Sequence, residues 1–264
     1  MKWTFCFLLL IAATLFSCEE IASQNKLKNQ VFGKKYSNFY IGPQGYYFRD
    51  NIQSIASPFH GSLWGAKAGY FYRKPNHLYA SVSGNWAIGK ISNKPGPSRS
   101  IHDELLESQF GYVFSFYKMQ WVPFGGLGFH YLVQHRQSIP TLTSLKFKYR
   151  NYYFPLGFQW NYFFIDQAMI GCHFQWNRDL DPMVQISGLF GSYWKLKHRN
   201  GYRISIPFEY FLQCNYRLSI SIEPFWMWYE LGATYAQSSN NISLEITKQI
   251  IQNIGALSTF HVYF

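Results

Sequence analysis

Between Tyr152 and Tyr162 every even position is large and apolar: Tyr152, Phe154, Leu156, Phe158, Trp160 and Tyr162. The odd positions between them, Tyr153, Pro155, Gly157, Gln159 and Asn161, are mostly small or polar. Successive side chains of an extended strand point to opposite sides, so a period of two predicts a strand with unlike faces. The same split sets Leu78, Ala80, Val82, Trp86 and Ile88 against Ser81, Ser83, Asn85 and Gly89. It sets Ile204, Ile206, Phe208 and Tyr210 against Arg203, Ser205 and Glu209, and Leu218, Ile220, Ile222 and Trp226 against Arg217, Ser219, Ser221 and Glu223. Ten segments carry the pattern, near 37–48, 61–73, 78–90, 105–117, 121–133, 149–162, 166–177, 202–212, 216–229 and 255–264. Pro43 interrupts the first, and Pro123 with three nearby glycines blurs the fifth. The links at 74–77, 118–120, 163–165 and 213–215 are short, whereas those at 49–60, 91–104, 134–148, 178–201 and 230–254 are long.

The medium decides which face points inward. A soluble β-sandwich or lipocalin-like barrel hides its apolar face. Here ten strands, each offering five or six bulky residues, would overfill a barrel interior, so the aromatic face is expected to point outward. Composition agrees: 48% of residues are hydrophobic and 21% aromatic, but only 14% charged. A soluble domain is about a quarter charged. Beyond the N-terminal segment no apolar run reaches the roughly 18–20 residues a helix needs to cross a bilayer. A closed β-barrel, in which every backbone group pairs between strands, is the remaining solution. Trp86, Tyr152, Trp176, Tyr202, Trp226 and Trp228 fall near the long links; Tyr70, Tyr72, Trp160, Tyr162, Tyr210 and Tyr216 fall near the short ones. Two aromatic belts at the edges of a membrane would look like this.

Both ends of the chain carry signals. Lys2, an apolar run from Phe5 to Phe16 and small Ser17 read as an export signal over residues 1–17, with cleavage between 17 and 23. Leu15-Phe16-Ser17-Cys18 resembles the lipobox of bacterial lipoproteins, which implies lipidation at Cys18; ordinary signal cleavage is the alternative. Lys26, Lys28, Lys34 and Lys35 mark 18–36 as a basic periplasmic tether ahead of a barrel at 37–264. At the other end, terminal Phe264 with Val262 and Phe260 resembles the signal by which bacterial outer-membrane assembly machinery recognises its clients.

Together these features resemble small bacterial outer-membrane β-barrel proteins of the ten-stranded or opacity-type size class, with no subfamily signature. The predicted fold is all-β: a closed antiparallel up-and-down transmembrane barrel of about ten strands, eight or twelve being the alternatives, with long extracellular loops and short periplasmic turns. The resemblance implies an outer-membrane location, contact with membrane lipid and lipopolysaccharide, delivery by the barrel assembly machinery, and a monomer. The net charge of +11 would otherwise suggest nucleic acid, but an exported barrel argues against that partner.

A barrel of ten strands is only slightly wider than one of eight, whose side chains nearly fill it. Its inward charges therefore need partners. Lys67, Glu107, His130, His173, Arg203, Glu209, Arg217 and Glu223 are the expected lumen network, with His261 on the same face. Pairing Glu209 across from Arg217 would also place Arg203 opposite Glu223. The histidines lack metal-ligand spacing, and neither a metal nor a cofactor is expected. Basic residues gather in the long links: Lys94 and Arg99; Arg136, Lys146, Lys148 and Arg150; Lys195, Lys197 and Arg199. Facing outward, Arg136, Lys146, Lys148, Arg150, Lys195, Lys197 and Arg199 would pair with anions such as lipopolysaccharide phosphates. Of the other cysteines past the signal, Cys172 is expected to face lipid and Cys214 to lie in a short turn, too far apart to bridge.

The function read from this pattern is a structural or surface-interaction role with a mostly occluded polar lumen. One alternative is a small-solute pore. Another is a rim hydrolase, resembling outer-membrane proteases that use Asp and His at the extracellular rim; its candidates are Asp103, Glu104, Asp179 and Asp181 with His102 and His135. No motif of such enzymes surrounds them, and His173 lacks the serine two residues on that lipid A deacylases carry, so no enzyme activity is expected.

Overall fold

The computed structural model describes residues 36–53, 55, 57–93, 98–136, 145–165, 167–187, 193–212, 217–234, 237–239, 242–244 and 246–264, all within the unit Lys35–Phe264. The expected signal, its cleavage site and Cys18 lie outside the described residues, as do Lys94 and Cys214 and all of the tether except Tyr36.

Among the described residues sixteen strands follow in chain order. They are β1 (Ser37–Ile52), β2 (Phe59–Arg73), β3 (Leu78–Ile91), β4 (Arg99–Tyr112), β5 (Phe114–Phe116), β6 (Met119–Arg136), β7 (Leu145–Ile165) and β8 (Ala168–Asp179). Then come β9 (Met183–Ser187), β10 (Tyr193–Lys195), β11 (Asn200–Ser205), β12 (Phe208–Phe211), β13 (Leu218–Leu231), β14 (Gln237–Ser239), β15 (Ile242–Leu244) and β16 (Gln249–Tyr263). Antiparallel pairing runs β1, β2, β3, β4, β6, β7, β8, then β11 with β12, β13, β16 and back to β1, a closed barrel of 10 strands. The seam between β1 and β16 extends from Asn38 opposite Tyr263 to Ile52 opposite Gln249. Each of the ten alternating segments lies on this ring. Among the described residues no helix is long and apolar enough to cross a membrane; the strands cross it.

The aromatic face points outward. Trp64 is 69% exposed, Phe110 64%, Leu127 62% and Ile254 59%. A continuous exposed apolar surface of this kind is stable only against lipid.

The long links are shorter than the sequence suggested, because the strands continue into them. Tyr153 faces Asp179, and beyond one irregularity Arg150 faces Met183, so β9 continues β8 along β7. Lys195 faces Met183 and Asn200 faces Arg178, so β10 and β11 share one register against that extended strand. The bridge between Leu196 and Thr234 continues the pairing of β11 with β13. Among the described residues, the long links after β8 and near 230–254 thus hold strand extensions: β9 and β10 in the first, and the ends of β13 and β16 in the second.

These extensions reverse the polarity of the wall. In the membrane-facing part of β7 the outward residues are Tyr152, Phe154 and Leu156; above them the same face carries Lys146, Lys148 and Arg150. The inward face changes in the opposite sense, to buried Phe147 and Tyr149. β1 repeats the change, with outward Phe39, Ile41 and Tyr47 followed by Arg49, and inward Phe48 and Ile52 above. Above the apolar band the barrel is built like a soluble β-protein, with apolar residues inside and polar ones in water.

Ten strands leave room for some large inward side chains only where a neighbour has none. Gly128 lies opposite Tyr153 on the inner wall, and a Cβ there would stand inside the ring of Tyr153.

Candidate functional site

The lumen has two halves. Toward the long-link end it is filled by an apolar cluster that includes Phe48, Leu63, Ile91, Leu132, Val184, Leu196 and Ile251, all nearly or fully buried. Val184 and Leu196 lie on the strand extensions beyond β8, so the inner face of the extended wall completes the plug. Buried Asp50, Arg99, Gln134 and Gln249 share this end with the apolar cluster, so the expected polar lumen here holds apolar residues as well. The reason is the reversed alternation, which turns apolar residues inward above the membrane band.

Toward the short-turn end lies a cavity of about 130 Å³. Lys67, Arg73, Glu107, His173, Arg203, Glu209, Glu223 and His261 contribute to its wall, with Tyr40, Phe71, Phe124 and Met169 among the rest. Alternation places each of them on the inner face. Glu107 is the best connected acid: Tyr153 Oη donates to its Oε2 at 2.7 Å, Gln175 Nε2 at 2.7 Å, and Gln109 Nε2 donates to its Oε1 at 2.6 Å. Arg203 Nη2 meets Glu223 Oε1 at 3.0 Å, and its guanidinium lies 5.3 Å from the centre of the Phe225 ring.

Arg203 thus finds Glu223, but not through the expected register. Glu209 faces Ser221 rather than Arg217, and Arg203 faces Met227 rather than Glu223. Leu212 N donates to Leu218 O in the same register, which places each partner four positions further along β13 than expected. The Arg203 pair is therefore diagonal. Arg217 is exposed at the strand end and is not part of the lumen wall. Glu209 instead accepts hydrogen bonds from Ser219 Oγ and Tyr263 Oη.

His130 stands apart from the cavity wall that His173 and His261 share. His130 Nε2 lies 2.7 Å from Asp103 Oδ1, and Tyr46 Oη donates to the other oxygen of Asp103. His173 Nε2 lies 3.3 Å from Asn161 Oδ1. His261 is held between Asn38 and Thr259. Among the described residues no three His, Cys, Asp or Glu side chains stand close enough to hold a metal ion.

The rim acids do not converge. Asp103 points inward, whereas His102 and Glu104, its neighbours in sequence, point outward and contact each other at 2.7 Å. Asp179 is also buried; it accepts from Asn151 Nδ2 and from Arg199 N. His135 is exposed on the outer face.

Five of the seven basic residues assigned to loops lie on strands: Arg136 in β6, Lys146, Lys148 and Arg150 in β7, and Lys195 in β10. The Arg136 side chain lies outside the described residues. Lys146, Lys148 and Arg150 occupy alternate positions and so share the outer face, directly above Tyr152. Lys195 joins them through Met183, which pairs with both Arg150 and Lys195. Lys197 is exposed, while Arg199 turns to Glu230, with Nε 3.7 Å from Oε2. Arg178, which the sequence pattern did not single out, is exposed on the same outer face and bonds Asn200 Oδ1 at 3.1 Å. At the other edge Phe260, Val262 and Phe264 are exposed on the outer face of β16 and its end, and Cys172 is a half-buried free thiol on the outer face of β8.

The sequence matches no family model and no curated protein. Among solved structures, the outer-membrane protease OmpT of Escherichia coli is similar, with a TM-score of 0.58 at 10% identity over 88% of this chain and 97% of that one. The fold is that of a bacterial outer-membrane β-barrel. The translocator domain of the autotransporter NalP from Neisseria meningitidis also matches, with a TM-score of 0.45 at 8% identity over 89% of this chain and 91% of that one. At such identities the likeness is one of architecture. The barrel sits in the outer membrane, with its exposed apolar band in lipid.

Proposed function

We propose that this protein is a closed, non-conducting outer-membrane barrel that works at the cell surface, its outer wall binding lipopolysaccharide phosphates. The observation that carries this reading is the apolar plug. A solute crossing the lumen would have to displace Phe48, Leu63, Leu132 and Ile251, which are buried in one apolar cluster. The small-solute pore is therefore the weaker reading. The hydrolase is weaker still: the Asp103–His130 contact is buried and already shared with Tyr46, which supports a structural role.

Planar-bilayer recording of the refolded full chain tests closure. Wild-type protein should give no steady conductance steps. Steps present in the wild type and changed by Glu107→Gln or Arg203→Met would overturn the closed-lumen reading and make the polar half a solute path.

The outer wall is tested separately. Lys146, Lys148 and Lys195 stand above the aromatic belt, where lipid phosphates lie, and each cation near an anionic surface contributes about 1 kcal/mol. Replacing all three with Gln should weaken binding to vesicles containing lipid A at least tenfold and flatten its salt dependence. Unchanged binding would remove the wall from the proposal. In the same reading Phe260, Val262 and Phe264 serve as the recognition segment for the assembly machinery, and the barrel acts as a monomer.

A further inference from the structure

The charges of the lumen cavity are balanced, with Lys67, Arg73 and Arg203 set against Glu107, Glu209 and Glu223. Those of the layer above it are not. We infer that this layer, where cavity and plug meet, is a site for an alkali-metal cation held by the Asp103 carboxylate, the Asn253 side-chain carbonyl and the Tyr229 hydroxyl. Asp103 stands four residues along β4 from cavity-lining Glu107, and Asn253 four along β16 from cavity-lining Leu257. On its other side the next inward residues of the two strands, Ile101 and Ile251, belong to the apolar cluster. Two contacts across the lumen bring the walls together. Tyr46 of β1 donates to Asp103 Oδ2, and Tyr46 pairs with Gly255, two residues from Asn253. The Tyr229 ring of β13 meets the His130 ring of β6 edge-on at 5.1 Å, and His130 in turn contacts Asp103. The Asn253 amide and the Asp103 carboxylate are both neighbours of the Tyr229 hydroxyl.

Unmet polar atoms point to an occupant. Asn253 is 0% exposed, and among the described residues neither its Oδ1 nor its Nδ2 has a hydrogen-bond partner. The Tyr229 hydroxyl is likewise unpartnered, as is Oδ1 of Asn151, which lies opposite His130 in the β6–β7 pairing. Each of these oxygens is an acceptor, and burying it unmet is costly. Charge decides what meets them. Asp103 and Asp179 are buried acids whose neighbouring bases are His130 and His198; among the described residues neither acid pairs with a lysine or arginine side chain. Histidine is mostly uncharged near neutral pH, so the layer carries surplus negative charge. That disfavours an anion, and water alone would leave the buried charge uncompensated. Divalent ions favour sites that gather carboxylates, whereas no three His, Cys, Asp or Glu side chains converge among the described residues. One carboxylate with neutral oxygens suits a single positive charge, and sodium or potassium is about as small as the water it replaces. The ion ties β4, β13 and β16 together across the lumen. The inference does not depend on the outer-wall reading.

Urea unfolding of the refolded full chain in vesicles of zwitterionic lipid tests it, in sodium, potassium or N-methylglucamine chloride at constant ionic strength. Sodium or potassium should raise the midpoint saturably, by about 0.5 M urea or more once the salt is tenfold above its dissociation constant. N-methylglucamine, too large for the layer, should not. Asp103→Asn, which removes the charge, and Asn253→Leu, which removes a ligand at similar volume, should each abolish the salt-specific rise. Folding of each variant is verified by its mobility on unheated gels. If neither folds, Tyr229→Phe decides: it removes only the unpartnered hydroxyl and should weaken the apparent cation affinity at least threefold. Equal midpoints in all three salts would mean that water alone fills the layer and would overturn the inference. A salt-specific rise that persists unchanged in a folded variant would overturn it too.

Discussion

Gly128→Val is expected to abolish folding or to destabilise the barrel by about 3 kcal/mol, the upper part of the range for overpacking a filled interior. The added Cβ falls within the ring of Tyr153, which cannot simply turn away. Tyr153 is buried, and its hydroxyl donates to Glu107, the acid that also gathers Gln109 and Gln175. Moving the ring therefore disturbs an entire hydrogen-bonded layer, and a buried acceptor that loses a donor adds its own penalty. Chemical unfolding of the protein in lipid vesicles, followed by tryptophan fluorescence, gives the magnitude. Tyr153→Ala should also destabilise by itself, through the space and the unmet acid it leaves. Combined with Gly128→Val it should cost clearly less than the sum, because the two residues compete for one volume. Strict additivity would show that Gly128 matters for some reason other than Tyr153.

Arg99→Met should cost about 3–5 kcal/mol, the loss typical of breaking a buried ion pair from one side. Arg99 and Asp50 are 3% and 0% exposed, with Nη1 of Arg99 3.7 Å from Oδ2 of Asp50. The same guanidinium lies flat against Phe59, 3.4 Å from the ring centre, and Gln134 bridges both partners. Methionine preserves the apolar contact with Phe59 but removes the Arg99 cation from beside the buried Asp50 carboxylate. Asp50→Asn introduced alongside should recover most of the loss, since the neutral amide removes the stranded charge. The same unfolding titration measures both variants. A loss below about 1 kcal/mol for Arg99→Met would mean that the pair is solvated or that its position in the plug has little energetic weight.

The parts of the fold legible in the sequence were those where lipid enforces one rule. In β7 the even positions from Tyr152 to Tyr162 must be apolar because they meet hydrocarbon, so the strand announces itself. The same strand continues to Leu145, but there the apolar positions become odd, Phe147 and Tyr149, and the even ones become basic. A reader following one phase loses the strand at that reversal, which is why Lys146, Lys148 and Arg150 looked like loop residues. Inward orientation was legible for Lys67, Glu107, His173, Arg203 and Glu223, since parity alone determines it. Partner choice was not. Turn length sets register, and nothing in Gln213–Asn215 reveals that Leu212 bonds to Leu218. The three glycines that blurred the fifth segment had a signal of their own. Gly128 is small because Tyr153, the odd large residue on the polar face of β7, needs its space.

The polarity reversal also fixes how deep the barrel rides. Were the protein to sink by one pair of residues, Arg150 and Arg49 would enter hydrocarbon, where a lipid-facing arginine costs about 2–4 kcal/mol near the midplane and less toward the edge. Were it to rise, Tyr152 and Tyr47 would be lifted out of the lipid. Both displacements are opposed at β1 and at β7 alike. A bilayer of different thickness would therefore have to stretch or thin to meet this wall, while the protein keeps its height.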